Sequence, residues 1–193
     1  MQEATYYIGC HLSAAKGYRA MGEVALSIGA NTFQFFTRNP RGGAMKAIDT
    51  FDAEALNSLC REHAFGKLVA HAPYTLNPSS SDPKIRDFAF RCFSEDLERM
   101  EYFPNQIYNF HPGSHVGQGI AAGILQTAEL LNEVLLPGQT TTVLIETMSG
   151  HGSEIGGAFE QVAELMSRVR RTEQLGVCLD TCHAFAAGYE LRT

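Results

Sequence analysis

KLVAHAPYTLNPSSSDPKIRDFAFRCFSEDLERMEYFPNQIYNFH, residues 67–111, holds one complete strand–helix–strand unit. It opens on LVAH (68–71), a short apolar run. Pro83 then stands at a first helical position, where its missing N–H is no loss and its fixed φ suits a helix. Behind it Ile85, Phe88, Cys92, Phe93, Leu97 and Met100 recur at helical spacing and mark one apolar face. A second β-rich run, Ile107–His111, follows. Strands joined through a helix pair in parallel, because the crossover returns the chain to the same edge.

The same alternation extends in both directions. β-rich runs fall at Tyr6–Leu12, Thr32–Phe36, Leu68–His71, Ile107–His111, Thr142–Glu146 and Gly176–Asp180. Helical stripes lie between them: Met21, Val24, Ala25 and Ile28; Leu56, Leu59, Cys60 and His63; Ile124, Ala128, Leu131 and Leu135; Phe159, Val162, Ala163, Met166 and Val169. Runs such as LVA, VLI and GVCL are apolar on both faces, as strands covered by helices should be. An open doubly wound sheet and a (β/α) barrel both fit. The first βα loop, GCHLSAAKG, lacks the GxGxxG fingerprint, and no GxxxxGK[ST] occurs. A nucleotide-binding doubly wound fold loses weight accordingly.

With 193 residues, 45% of them hydrophobic, the chain suffices for one domain with a core and is short for two. A single domain over residues 1–193 is expected. The apolar runs are too short for a membrane helix. MQEATYYIGC has neither a basic n-region nor an apolar h-region, so no secretory signal is expected. Five cysteines without a CxxC pair suggest a cytoplasmic protein, with Cys10, Cys178 and Cys182 read as reduced, buried thiols. A net charge of -6 points to no polyanion partner, so any nucleic-acid contact must use a local patch or bound cations.

Chemistry concentrates where the strands finish. His71 ends LVAH, His111 ends YNFH, Glu146 ends VLIE and Asp180 ends GVCLD, with His183 three residues on. The steps from 71 to 111, 146 and 180 are 40, 35 and 34 residues, each about one βα unit. The side chains therefore recur at one height on neighbouring strands, at the rim where barrel active sites are built. Two imidazoles and a carboxylate converging on a point suit zinc better than acid–base work. A second carboxylate and a further His beside them suit a multinuclear site with one carboxylate bridging. Such ligands also accept manganese or iron.

Other residues are weaker candidates. His11 closes the first run and is a candidate to line the site. His115 is either a partner behind a ligand or a loop hydrogen bonder. His63 reads as structural and His151 as a loop residue. In TRNPRGGAMK (37–46), Arg38, Arg41 and Lys46 are candidates to grip phosphates. Tyr74 offers an aromatic face for a base or sugar. Arg168, Arg170 and Arg171 read as dipole compensation at a helix C-terminus.

NFHPGSH (109–115) and GVCLDTCHAFAAGYELR (176–192) resemble signature segments of the endonuclease IV family, zinc-dependent apurinic/apyrimidinic endonucleases of base-excision repair. YIGCHLSAAKG (7–17), FFTRNPR (35–41), AHAPYTLN (70–77) and IETMSGHGSEIG (145–156) resemble that family too, in its order. The resemblance implies a TIM (β/α) barrel and a three-metal site, usually zinc. By the match, His71, His111 and Glu146 correspond to ligands of the first metal. Glu146 and Asp180 correspond to ligands of the second, and His183 to a ligand of the third. Glu146 and Asp180 are the residues on which catalysis turns. Arg41 and Tyr74 correspond to residues that enter the DNA near the lesion, although Gly42 and Gly43 replace the bulkier residues often found there. The implied reaction is hydrolysis of the phosphodiester 5′ to an abasic site in duplex DNA by metal-activated hydroxide. The missing base makes that nucleotide easy to swing out of the stack.

The family chain carries two further βα units with more metal ligands: a His, an Asp-x-His pair and a final Glu. This sequence holds about six of eight units, an incomplete barrel, and reads as C-terminally truncated. By this count only the first metal keeps its protein ligands. Six strands leave apolar edges that favour self-association, although the family is monomeric. Two other readings stand beside the first. One is a metal-dependent sugar isomerase or epimerase on a related barrel. The other is a non-catalytic fragment that binds metal or damaged DNA.

Overall fold

The computed structural model describes residues 6–41 and 45–192. The quoted unit folds as its pattern demands. β2 (Val69–His71) leads through α3 (Pro83–Met100) to β3 (Ile107–Phe110). Pro83 occupies the first turn of α3, and Asp82 caps it by accepting the Lys84 N–H. Upstream lie α1 (Tyr18–Ser27), β1 (Gln34–Phe36) and α2 (Thr50–Glu62), the last capped by Asp49. Downstream lie α4 (Ile120–Val134), β4 (Thr142–Glu146), α5 (Phe159–Ser167), β5 (Leu175–Cys178) and α6 (Thr181–Ala186). The strands form one sheet in the order β1-β2-β3-β4-β5, parallel throughout.

The register sorts side chains into two faces. Phe35, Ala70, Tyr108 and Phe110, Val143 and Ile145 point to the helix layer and are at most 1% exposed. They pack with Ala89, Cys92, Phe93, Leu97 and Met100 of α3 and with Ile124, Ala128 and Leu131 of α4 in one core. The other face carries Phe36, His71, Asn109 and Glu146. This is the alternation a barrel wall requires, with helices outside and chemistry at the inner rim.

Three sequence expectations are corrected. The first run, Tyr6–Leu12, is not a strand of the sheet. It lies beside β1 through one bridge, His11 to Gln34, flanked by Leu12 N–H to Gln34 C=O (2.8 Å) and Gln34 N–H to Cys10 C=O (3.0 Å). Tyr6 and Ile8 are 77% and 71% exposed, so no second layer stabilises the pairing. The apolar pattern of GVCL predicts cover on both faces, but only Leu175 of β5 packs on the core, while Val177 and Leu179 are 45% and 56% exposed at the end of the sheet. Of the thiols read as buried, Cys10, on the first run, and Cys182, on α6, are exposed, and Cys178, at the end of the edge strand β5, is half-buried. No helix is long and apolar enough to cross a membrane among the described residues.

Candidate metal centre

The sheet register sets the height of each candidate. His71 faces Asn109, Phe110 faces Ile145, and Glu146 faces Cys178. His111, one residue past Phe110, therefore reaches the level of Glu146. The β5 end differs from expectation: the strand stops at Cys178, and Asp180 caps α6 instead. Its Oδ1 accepts the His183 N–H at 2.7 Å, so the DTCH turn itself brings Asp180 and His183 to one side.

Glu146 is the hub. It is 4% exposed, and three imidazoles converge on its carboxylate. His71 Nε2 lies 3.3 Å from Oε2, His111 Nε2 3.4 Å from Oε1, and His183 Nδ1 3.2 Å from Oε1. Asp180 Oδ2 stands 3.7 Å from His183 Nδ1. Two donor sets follow, His71–His111–Glu146 and Glu146–Asp180–His183, each with donor atoms within 4.8 Å of one another. All five residues proposed from strand ends are brought together, with Glu146 common to both sets.

The rings are oriented from behind. His71 Nδ1 donates to the Ala72 C=O at 2.6 Å, which leaves Nε2 aimed at the carboxylate. His183 differs: the Nδ1 that faces Glu146 also meets the Thr147 C=O at 3.0 Å. A ring nitrogen this close to a carboxylate oxygen needs a proton or a metal cation between them. Burial alone would raise the Glu146 carboxyl. The hydrogen bonds from His111, His71 and Asn109 outweigh it and hold the group well below the usual carboxylate range. Burial, reinforced by the Glu146 and Asp180 charges, pushes the nearby Cys178 thiol up to about 11.

Sequence reading missed Asn109. Its Nδ2 donates to Glu146 Oε2, while its buried Oδ1 has no partner. The signal was available: on a strand, residue 109 shares a face with residue 111.

The remaining candidates divide. Tyr74 stands at the mouth, 63% exposed, its ring 5.9 Å from His71 and 6.1 Å from His111. Phe36 packs behind it at 5.1 Å and against His11 at 4.5 Å. His11 thus borders the site through Phe36, and burial together with the His71 charge lowers its pKa. Arg41 is exposed, its N–H bonded to Asn39 Oδ1. Arg38 is not a phosphate grip: it is buried in an ion pair with Asp96 on α3. Lys46 is exposed, and its carbonyl accepts from Arg99. His115 is a loop bonder, accepting the Gly119 N–H. His63 caps the end of α2, and Arg168 pairs with Glu164. Gly42 and Gly43 lie outside the described residues.

Residues 23–192 match the family described as "Xylose isomerase-like TIM barrel". The chain is 62% identical over 185 residues to a probable endonuclease 4 of Akkermansia muciniphila, covering 96% of this chain and 67% of that one. It is 56% identical over 184 residues to a probable endonuclease 4 of Alkaliphilus oremlandii, covering 95% of this chain and 66% of that one. It belongs to the endonuclease IV family. Among solved structures, endonuclease IV from Thermus thermophilus superposes with a TM-score of 0.80 at 30% identity, over 94% of this chain and 65% of that one. D-psicose 3-epimerase from Clostridium cellulolyticum superposes at 0.68 with 14% identity, over 91% and 64%, a likeness of fold alone. The chain thus spans about two thirds of the endonuclease IV relatives, and its open sheet is that portion of the family's barrel.

Proposed function

We propose that this chain is the metal-binding, DNA-facing portion of an endonuclease that hydrolyses the phosphodiester 5′ to abasic sites in duplex DNA. The observation that carries the proposal is Glu146, one buried carboxylate shared by two donor sets at the rim of a barrel wall. The donor chemistry fits divalent ions, zinc first: imidazole nitrogens and carboxylates, with His71 Nε2 already turned inward. His71, His111 and Glu146 would hold one ion. Glu146 and Asp180 would contribute to a second, and His183 to a third. When bound, such ions supply Lewis-acid charge at phosphorus and at the leaving oxygen, and lower the pKa of water.

The protein's own groups do the rest. Asn109 fixes the Glu146 carboxylate so that its two oxygens face different rings. Asp180 commits one oxygen to the α6 turn and keeps the other toward His183. Tyr74 stands at the mouth, bonded through its N–H to the Pro40 C=O just before Arg41, so an aromatic face, with the Arg41 guanidinium beside it, would enter the gap left by a missing base. Bound dications also account for how a chain of net charge -6 engages a polyanion.

The test is incision of an end-labelled duplex with one central abasic site, by this 193-residue chain with zinc and with a chelator. Chelator-sensitive cutting on the 5′ side, leaving a 3′-hydroxyl, supports the proposal. Tight binding of zinc and abasic duplex without cutting would show that the donors of this portion are insufficient for turnover. Sugar epimerisation without incision would replace the reading.

A further inference from the structure

Arg38 sits in a basic loop whose composition suits DNA contact, yet its side chain is only 3% exposed. Its Nε donates to Asp96 Oδ1 at 3.0 Å, and its Nη2 reaches Glu95 Oε2 at 3.0 Å and the Cys92 C=O at 3.1 Å. Asp96 is fully buried, and its second oxygen accepts from the Tyr108 hydroxyl at 2.8 Å. Tyr108 lies on β3, three residues before His111. The far side of the same loop is held by the same helix: Arg99 of α3 donates to the Lys46 C=O and, at 2.8 Å, to the Tyr18 hydroxyl. One helix thus grips the segment 38–46 at both ends.

The grip reaches the mouth of the metal centre. Two residues after Arg38, the Pro40 C=O accepts the Tyr74 N–H at 2.9 Å. Pro40 directly precedes Arg41. Phe36, two residues before Arg38, packs edge-on against both Tyr74 and His71. A planar guanidinium with fixed donors suits such a junction better than a flexible ammonium would.

We infer that Arg38 is a positioning residue: its buried fork into Asp96, Glu95 and the Cys92 carbonyl sets the placement of Tyr74 beside the metal centre and of the backbone that carries Arg41, and so discrimination for abasic DNA. The inference rests on the proposed function for the role of Arg41 and Tyr74 in DNA, but the anchoring itself is a property of the protein alone.

Two measurements test it on the full chain. The first is hydrogen exchange of the Tyr74 amide in Arg38→Met, against the Leu59 amide of α2 as an internal standard. Selective acceleration at Tyr74, about tenfold or more, is expected; equal acceleration at both, or none, overturns the anchoring role. The second is a double-mutant cycle with Arg41→Ala on an abasic duplex. Arg38→Met should raise KM about tenfold or more with kcat and zinc content little changed, and should add nothing in the Arg41→Ala background. Additive losses, or a loss confined to kcat, overturn it. Arg38→Lys carries the same tests where Arg38→Met fails to fold. If the wild-type chain neither binds nor cuts abasic DNA, the proposed function fails, while the exchange measurement still decides the anchoring.

Discussion

Replacing Glu146 by Gln should disable two metal positions with one substitution. The carboxylate is 4% exposed and approached by His71, His111 and His183 within 3.2–3.4 Å, so it cannot be replaced by solvent. A zinc site with four protein ligands is worth about 10–16 kcal/mol, or about 2.5–4 kcal/mol per donor. At about 1.4 kcal/mol per decade, removing the anionic donor should weaken zinc by about two to three decades. Because Glu146 belongs to both donor sets, the loss should appear in both. His71→Ala should weaken the first set alone, and His183→Ala the second alone. Competition titration against a chromophoric chelator at neutral pH reads all three. Zinc affinity of Glu146→Gln within about threefold of wild type would refute the reasoning, because losing a shared anionic donor must weaken both sets.

Further outcomes follow from the same geometry. Tyr108→Phe removes the donor to the second oxygen of the buried Asp96 and should lower unfolding free energy by about 1–3 kcal/mol in urea; an unchanged midpoint would contradict that bond. In metal-free protein, the depressed Glu146 pKa means that the native state binds fewer protons than the unfolded chain. Its contribution is complete above about pH 5 and lost as pH falls, so wild type should lose more stability than Glu146→Gln between about pH 5 and 3. Parallel pH–stability curves would show the ring contacts to be weak. Alkylation of native protein at pH about 8 should label exposed Cys10 and Cys182 first, and spare Cys60 and Cys178, whose thiols burial pushes up to about 11. Early labelling of Cys178 would mean that the β4–β5 edge opens.

The unit at residues 67–111 was legible because its two signals are local: helical spacing behind Pro83, and short apolar runs ending in His. The clustering of His71, His111, Glu146, Asp180 and His183 was legible for a related reason. Parallel strands at a regular repeat put their C-terminal ends at one height, so spacing along the chain became position in space. What escaped depends on partners far away in sequence. Tyr6–Leu12 has the composition of a strand, but composition does not say whether a covering layer exists. Arg38 sits in a basic loop that reads as solvated, and only the fold brings Asp96 to it across 58 residues. Cys10 and Cys182 looked buried for the same reason, since apolar neighbours in sequence are not neighbours in space. Asp180 reads as a strand end when it is a helix cap, a difference of two residues that boundary reading rarely resolves.

The central claim is that His71, His111 and Glu146 form one metal-binding point. Zinc-edge anomalous diffraction from crystals of this chain grown with zinc tests it most directly. The account predicts a peak about 2.0–2.1 Å from Nε2 of both His71 and His111, and against a Glu146 oxygen. Zinc bound only at exposed groups such as Cys10 or Cys182, with the two imidazoles still meeting the carboxylate directly, would contradict it.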